Sequence, residues 1–214
     1  MAAPSPEAER QRDKDRTRAD ILEVATREFA DKGYTGARVD EIAARTSTTK
    51  RMIYYYFGGK EQLYIAVLER AYSAIRALEQ QVDVEHLAPE DALRQLAALT
   101  FDHHEANPDF IRLVSIENIH RAEHLAQSEV LAGLADPALG GLTRILERGR
   151  AAGRFRADAD PLDVHMIISS FCVFRLANRY TFQAIFGRDM LDPARREHYR
   201  TMLGELVIDY LTAR

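Results

Sequence analysis

The chain has 214 residues, 46% of them hydrophobic, with 11 Gly and 7 Pro, which excludes a disordered or fibrous protein and leaves room for one domain or two small ones. A single cysteine, Cys172, excludes an internal disulfide; the segment around it is apolar, so it reads as a buried packing thiol in a reducing compartment. The net charge of −4 is unevenly spread: residues 1–62 hold 12 Lys+Arg and 11 Asp+Glu, a net of +1, whereas residues 63–214 hold 17 and 22, a net of −5.

Leu, Ala, Arg and Glu dominate, which favours helix over sheet. Residues 1–13 are rich in Pro, Glu and Arg and read as a flexible arm without the apolar core of a secretory signal. From about Thr17, Ile21, Leu22, Ala25, Phe29 and Ala30 recur at helical spacing, and Gly33 ends that helix. Val39, Ile42 and Ala43 mark a second, short helix, and a third covers Lys50–Phe57. Gly58-Gly59 breaks the chain before a long helix over 60–81. Pro89 fits the first turn of a helix to Ala106, and Asn107-Pro108 separates it from one ending near His120. A shorter helical segment covers 123–134; Pro137 punctuates, and helix resumes to Ala151. After a loop at 153–160, Pro161 opens a helix predicted to run to Ile185, and Pro193 opens the last, to Leu211. No window alternates with a period of two, so the expected fold class is all-α: a small N-terminal three-helix domain, 14–60, behind the arm, followed by a larger helical domain, 61–214. The longest apolar run, Val164–Phe174, is interrupted by His165, Ser169 and Ser170 and falls short of the ~20 residues a bilayer requires, so a cytoplasmic, membrane-free chain is expected.

Residues 33–60 carry the strongest chemical signal. Arg45, Lys50, Arg51 and Lys60 lie within 45–60, where there is no acidic residue. A helix that reads DNA projects polar and basic groups from its first turns while its back packs on a partner helix. Here Ser47, Thr48 and Thr49 are available to cap the third helix and donate to phosphates, Lys50 and Arg51 bring charge, and Tyr54 and Tyr55 bring hydroxyls and flat faces. Ile53 and Phe57 are spaced to face inward. The bland alternative is an amphipathic hairpin with a solvated basic face.

The spacing also resembles a known family. Gly33-Tyr34, Val39-Asp40-Glu41-Ile42-Ala43, Lys50-Arg51-Met52-Ile53-Tyr54-Tyr55-Tyr56-Phe57 and Lys60-Glu61-Gln62-Leu63 are similar to the DNA-binding domain of TetR-type one-component regulators. The resemblance implies that Lys50, Arg51, Tyr54 and Tyr55 approach double-stranded operator DNA, with Lys60 near a phosphate. Three positions depart from the usual pattern. Ser47 replaces the turn glycine, which implies an αL-like strain. Arg38 replaces a capping Ser or Thr and is available for a phosphate contact. Arg51 and Met52 replace small residues, so the base preference is this chain's own. Arg10, Arg12, Arg16 and Arg18 read either as a DNA-contacting arm or as a solvated tail.

For the larger domain the resemblance implies a small-molecule effector site and a homodimer through helices 161–185 and 193–211. Candidate effector contacts are Phe110, Val114, Glu117, Asn118 and Arg121 on and after one helix, and Phe171, Phe174, Arg175 and Asn178 on another. They are polar groups among apolar neighbours, which is what a selective pocket needs. The alternative for Glu117 is a buried pair with Arg175 or Arg179. The expected function is a ligand-responsive transcriptional regulator, a repressor released from a palindromic operator by a small molecule, with no cofactor and no metal. An activator and a ligand-sensing helical module are the alternatives. A di-metal bundle enzyme built on Glu117-x-x-His120 is remote, because the chain holds no second Glu-x-x-His pair.

Overall fold

The computed structural model describes residues 5–212, and helices are the only regular elements among them. In chain order they are α1 (Pro6–Gly36), α2 (Val39–Ala44), α3 (Lys50–Phe57), α4 (Lys60–Glu79), α5 (Pro89–Ala106) and α6 (Pro108–Ile119). Then follow α7 (Glu129–Ala132), α8 (Ala135–Ala151), α9 (Pro161–Ala177), α10 (Arg179–Phe186) and α11 (Arg196–Thr212), with single 3-10 turns at Leu125–Gln127 and Pro193–Arg195. They form two compact units: residues up to Ala71 with Arg112–Ser128, and Tyr72–Ile111 with Glu129 onward. The sequence reading places the domain boundary at 60/61, the start of α4; the division between these units falls inside α4 and inside α6.

The helical segment expected over 123–134 is a 3-10 turn and the four-residue α7, and three further elements differ from expectation, each for a local reason. The first helix begins at Pro6, eleven residues before the apolar periodicity does. Ser5 Oγ caps it by accepting from Ala8 N–H at 3.3 Å, Pro6 supplies a preset first turn, and Glu7 and Glu9 complement the helix N-terminus. The sequence reading saw an irregular arm here; residues 6–13 are helical, and residues 1–4 of that arm lie outside the described residues. Pro137 does not interrupt a helix but lies in the first turn of α8, where its missing N–H needs no partner. The helix expected over 161–185 is two helices. The chain leaves regular geometry at Asn178 (φ −100°, ψ 8°), whose side-chain amide donates to Phe174 O at 3.3 Å.

In the first unit Ile21, Ala25 and Phe29 of α1, Ile42 of α2, Ile53 of α3 and Leu63 of α4 are all but fully buried and form the core. Gly33 (φ 68°) turns α1 out of helical geometry, a backbone state open to glycine without strain. The α2 N-terminus has no side-chain cap of its own, as Arg38 at that position implies. Glu28 of α1 compensates. It is 2% exposed, accepts from Arg38 N–H at 3.3 Å, and pairs with Lys32 at 2.8 Å and Arg45 at 3.4 Å. Burial alone would raise this carboxyl, but the Lys32 and Arg38 hydrogen bonds and the charges of Lys32 and Arg45 outweigh it and hold it below its ordinary range.

The second unit is built around α5, which packs on α8, α9 and α11. Leu93, Ala97 and Phe101 of α5 meet Ile145 of α8, Val164 of α9 and Leu203 of α11 in one buried cluster. Cys172 lies in that cluster, and burial pushes its thiol up to about 12, so it is a packing group. A charged seam ties the same helices together. Asp102 and Glu105 of α5 receive Arg196 of α11 at 2.6 and 3.0 Å, and Arg200 reaches Asp102 at 3.1 Å.

Candidate functional site

Thr49 opens α3: its backbone is extended and its hydroxyl accepts from Met52 N–H at 3.3 Å. From this cap Lys50, Arg51, Tyr54 and Tyr55 follow at i, i+1, i+4 and i+5 and therefore share one side of the helix. All four are exposed, Tyr55 at 71%, while Ile53 (1%) and Phe57 (9%) anchor the opposite side. Ser47, Thr49 and Arg38 are exposed too, and Thr48 is half-buried. The turn before α3 is reached without αL strain at Ser47. Among the described residues only Arg121, Ala122 and four glycines have positive φ, and this removes the penalty that a serine in place of glycine implies.

Two of the lysines already have partners. Lys50 Nζ lies 3.0 Å from Asp40 of α2, and that hydrogen bond and charge raise its proton affinity, so it stays a cation. Lys60 Nζ lies 4.8 Å above the Tyr34 ring and donates to Thr35 O at 3.4 Å; burial lowers its proton affinity. Lys60 is thus held against the end of α1, beside the α3 face. The helix-turn-helix presents a cationic, hydroxyl-rich and aromatic surface on a rigid apolar base, which suits phosphate contact and base-edge contact together.

Residues 21–67 match the family described as "Bacterial regulatory proteins, tetR family", and residues 89–207 match "Tetracyclin repressor-like, C-terminal domain". The chain belongs to the TetR family. It is a helix-turn-helix transcriptional regulator. It is 36% identical to the HTH-type transcriptional repressor NicS of Pseudomonas putida over 194 residues, 91% of this chain and 92% of that protein. A transcriptional regulator of Streptomyces coelicolor, SCO4942, has a similar crystal structure (TM-score 0.65, 30% identity, 89% of this chain and 97% of that one). A tetR-family protein of Rhodococcus RHA1 shares the fold at TM-score 0.72 and 22% identity, over 92% of this chain and 98% of that one.

The nine effector candidates of this TetR chain do not behave as one group. Val114, Glu117, Asn118 and Arg121 belong to the first unit, and Phe110, Phe171, Phe174, Arg175 and Asn178 to the second. Glu117 is 1% exposed and pairs with neither Arg175 nor Arg179. It accepts from the N–H groups of His124 (3.3 Å) and Leu125 (3.1 Å) and lies 3.2 Å from His124 Nδ1. The His124 ring in turn packs on Tyr34 at 4.3 Å and Tyr64 at 4.9 Å. The sequence offered no signal for this: residues 123–134 read only as a short helical segment, with nothing to place His124 against Glu117. Asn118 is exposed and donates to Val114 O at 2.8 Å. Arg121 lies in the left-handed turn after α6 (φ 60°).

In the second unit Phe171, Phe174 and Arg175 line a groove of about 430 Å³ with Ile167, Met202 and Leu206. Arg175 is 2% exposed and committed to structure. It pairs with Glu105, donates to Met190 O at 2.9 Å and lies 4.1 Å above the Phe101 ring. Phe110 sits apart from the groove, against His103, His104 and Tyr72. No group of three or more His, Cys, Asp or Glu side chains among the described residues is arranged to hold a metal. No helix among them is long and apolar enough to cross a membrane.

Two adjacent histidines of α5 stand beside Phe110. His103 and His104 are 7% and 5% exposed. His104 Nδ1 lies 2.7 Å from Thr100 O, which fixes its proton on that nitrogen and leaves Nε2 as an acceptor. Burial, the neighbouring His103, and the charges of Arg76 and His165 push His104 down to about 4; burial and Arg76 lower His103 and His165 in the same direction. A histidine whose folded pKa is depressed contributes stability above its ordinary pKa and loses it as pH falls toward the folded value. His104 alone is therefore expected to cost about 2 kcal/mol of stability between pH 7 and pH 5. Thermal melts across that window should show it, and His104→Gln should flatten the slope. An unchanged slope in the variant would contradict the assignment.

Proposed function

We propose that the protein is a homodimeric repressor that holds a palindromic operator and releases it when a small effector occupies the second unit. The observation that carries this reading is the α3 surface: Lys50, Arg51, Tyr54 and Tyr55 stand exposed on a buried base of Ile53 and Phe57, inside the matched tetR segment. The repressor names of its relatives support the sign of regulation. Two copies related by a two-fold axis would place two α3 helices in successive major grooves, one helical turn of DNA apart.

The groove between α9 and α11 fits the dimer better than the effector. Leu162, Met166 and Phe174 of α9 and Leu206 of α11 are 59%, 58%, 49% and 46% exposed, an apolar surface that continues the groove rim. Phe171 and Phe174 then serve the partner copy, and Arg175 braces the helices beneath. Effector binding would act through α4, the helix that starts beside the DNA face at Lys60 and ends in the second unit at Glu79. The effector must favour one arrangement of that helix over another for any release to follow.

Operator fragments selected from random DNA and followed by gel retardation test the reading. Lys50→Ala and Tyr55→Ala should each weaken retardation roughly ten- to a hundredfold. Lys50→Ala should also reduce the salt dependence, by at most about one phosphate contact because Asp40 already pairs with Lys50. Unchanged retardation in both would remove α3 as the DNA-reading element, and a monomer in sedimentation at micromolar concentration would remove the two-fold arrangement.

A further inference from the structure

The second unit carries a buried polar cluster, beside its apolar core, whose Arg76, Glu79, His103 and His104 take no part in the charged seam. Tyr72, Arg76 and Glu79 follow one another at i, i+4 and i+7 along α4 and so share a face. Leu96, Thr100, His103 and His104 make the corresponding stripe on α5. Phe110 closes one end, its ring 5.1 Å from Tyr72, 5.9 Å from His103 and 5.4 Å from His104. At the other end a cavity of about 340 Å³ has Glu79 in its wall together with Val82, Val84, Leu96 and Ile145.

Two features of this cluster are poor choices for stability alone. His103 Nδ1 is buried without a hydrogen-bond partner. Arg76 and Glu79 form an ion pair at 2.5 Å, with side chains only 12% and 6% exposed. Desolvation offsets most of the attraction in such a pair, and apolar side chains of the same volume would serve the fold as well or better. A cavity whose apolar wall is broken by Gln80, Asp136 and Arg144, and which meets an exchangeable ion pair through Glu79, has the composition of a ligand site.

We propose that this cluster is the effector site and that it takes a small monocarboxylate with an apolar body, the carboxylate replacing Glu79 as the partner of Arg76 and the body filling the cavity beside Leu96 and Ile145. This rests on the reading of the chain as an effector-released regulator. The sign of the ligand charge follows from the charges already there. His103, His104 and His165 are neutral beside Arg76, so Arg76 is the fixed cation and Glu79 its counter-ion; Asp136 and Arg144 stand at the cavity wall. An ammonium ligand would set a second cation against Arg76 with one carboxylate to share. A carboxylate ligand keeps the balance if Glu79 takes up a proton. Burial raises the Glu79 carboxyl to about 7, with Arg76 only partly opposing it, so that proton is available near neutral pH. Above pH 7 Glu79 is ionised in the free protein and must still gain the proton, so affinity falls by up to tenfold per pH unit.

Binding to the full-length protein, read by thermal shift and ligand-observed NMR without DNA, tests this. The probes are benzoate, 3-phenylpropionate and hexanoate, with benzamide and benzylamine as the neutral and cationic counterparts. At least one carboxylate should bind, and its amide or amine analogue at least tenfold more weakly. Arg76→Gln should weaken that carboxylate roughly ten- to a hundredfold. Should Arg76→Gln fail to fold by circular dichroism, Arg76→Lys, which keeps the charge, should still prefer acid over amide. Glu79→Gln should keep the affinity and lose the pH slope above 7. Equal binding of acid and amide, an unaffected folded Arg76→Gln, or no binding by any of the three carboxylates would overturn the proposal. A negative result here with operator retardation intact removes this site and leaves the repressor reading standing. Failure of retardation with carboxylate binding intact does the reverse.

Discussion

Glu117→Ala is expected to destabilise the protein by about 3 kcal/mol, measured by urea or thermal unfolding. The size follows from what the carboxylate holds. It accepts from two backbone N–H groups, of His124 and Leu125, and meets the His124 ring nitrogen, all in a site where Glu117 itself is 1% exposed. Truncation leaves two buried donors and an imidazole without a partner, and each unsatisfied buried group costs roughly 1–3 kcal/mol. Arg121 and Ala122 adopt left-handed backbone (φ 60° and 58°), a state that costs an L-residue about 1–2 kcal/mol unless neighbours impose it. Glu117→Gln keeps the shape and one acceptor and should lose about half as much. A Glu117→Ala protein within about 0.5 kcal/mol of the parent would show that the clasp is incidental.

Arg175→Met is expected to cost a comparable amount, about 3 kcal/mol. The guanidinium is buried, bonds Glu105 and Met190 O, and lies over Phe101, so one side chain links α5, α9 and the segment before α11. Methionine replaces the volume but leaves Met190 O unpaired. The loss is limited because Glu105 keeps Arg196 at 3.0 Å and is itself a quarter exposed. Arg175→Lys separates packing from geometry: an ammonium keeps the charge but does not reproduce the planar fork, and about 1–2 kcal/mol should still be lost. Equal stability of the lysine variant and the parent would mean that charge alone matters at this position.

The helix-turn-helix was legible because its determinants are local. Capping hydroxyls, basic residues and the spacing of Ile53 and Phe57 all lie within ten residues. The same is true of Gly33, Pro89, Pro108 and Pro161, each of which stands at a helix boundary. The start of α1 was missed because an exposed helix buries no stripe; its signal is the cap Ser5-Pro6-Glu7. The break at Asn178 was missed because apolar spacing continues into α10. What could not be read were partners distant in sequence. Neither the effector reading of Glu117 nor its alternative, a pair with Arg175 or Arg179, names His124 and Leu125, and Arg76, Glu79, His103 and His165, which come from three helices, carry no signal of one another in the sequence. A periodicity tells which face is buried but not what it is buried against.

The Lys50–Asp40 pair bears on how the free protein meets nucleic acid. A phosphate that engages Lys50 must first displace a carboxylate 3.0 Å away on the neighbouring helix. If Lys50 meets a phosphate as proposed, Asp40 is an intramolecular competitor for that anion. Exchange of one anion for another releases fewer bound counterions than capture by a bare lysine. Contacts with random DNA, where few other bonds form, bear this exchange in full. On a matched operator, base-edge and hydroxyl contacts from α3 would offset it. On that reading one exposed carboxylate would subtract more from indiscriminate adhesion than from recognition, and an acidic chain with a small cationic face would gain selectivity from its own negative charge.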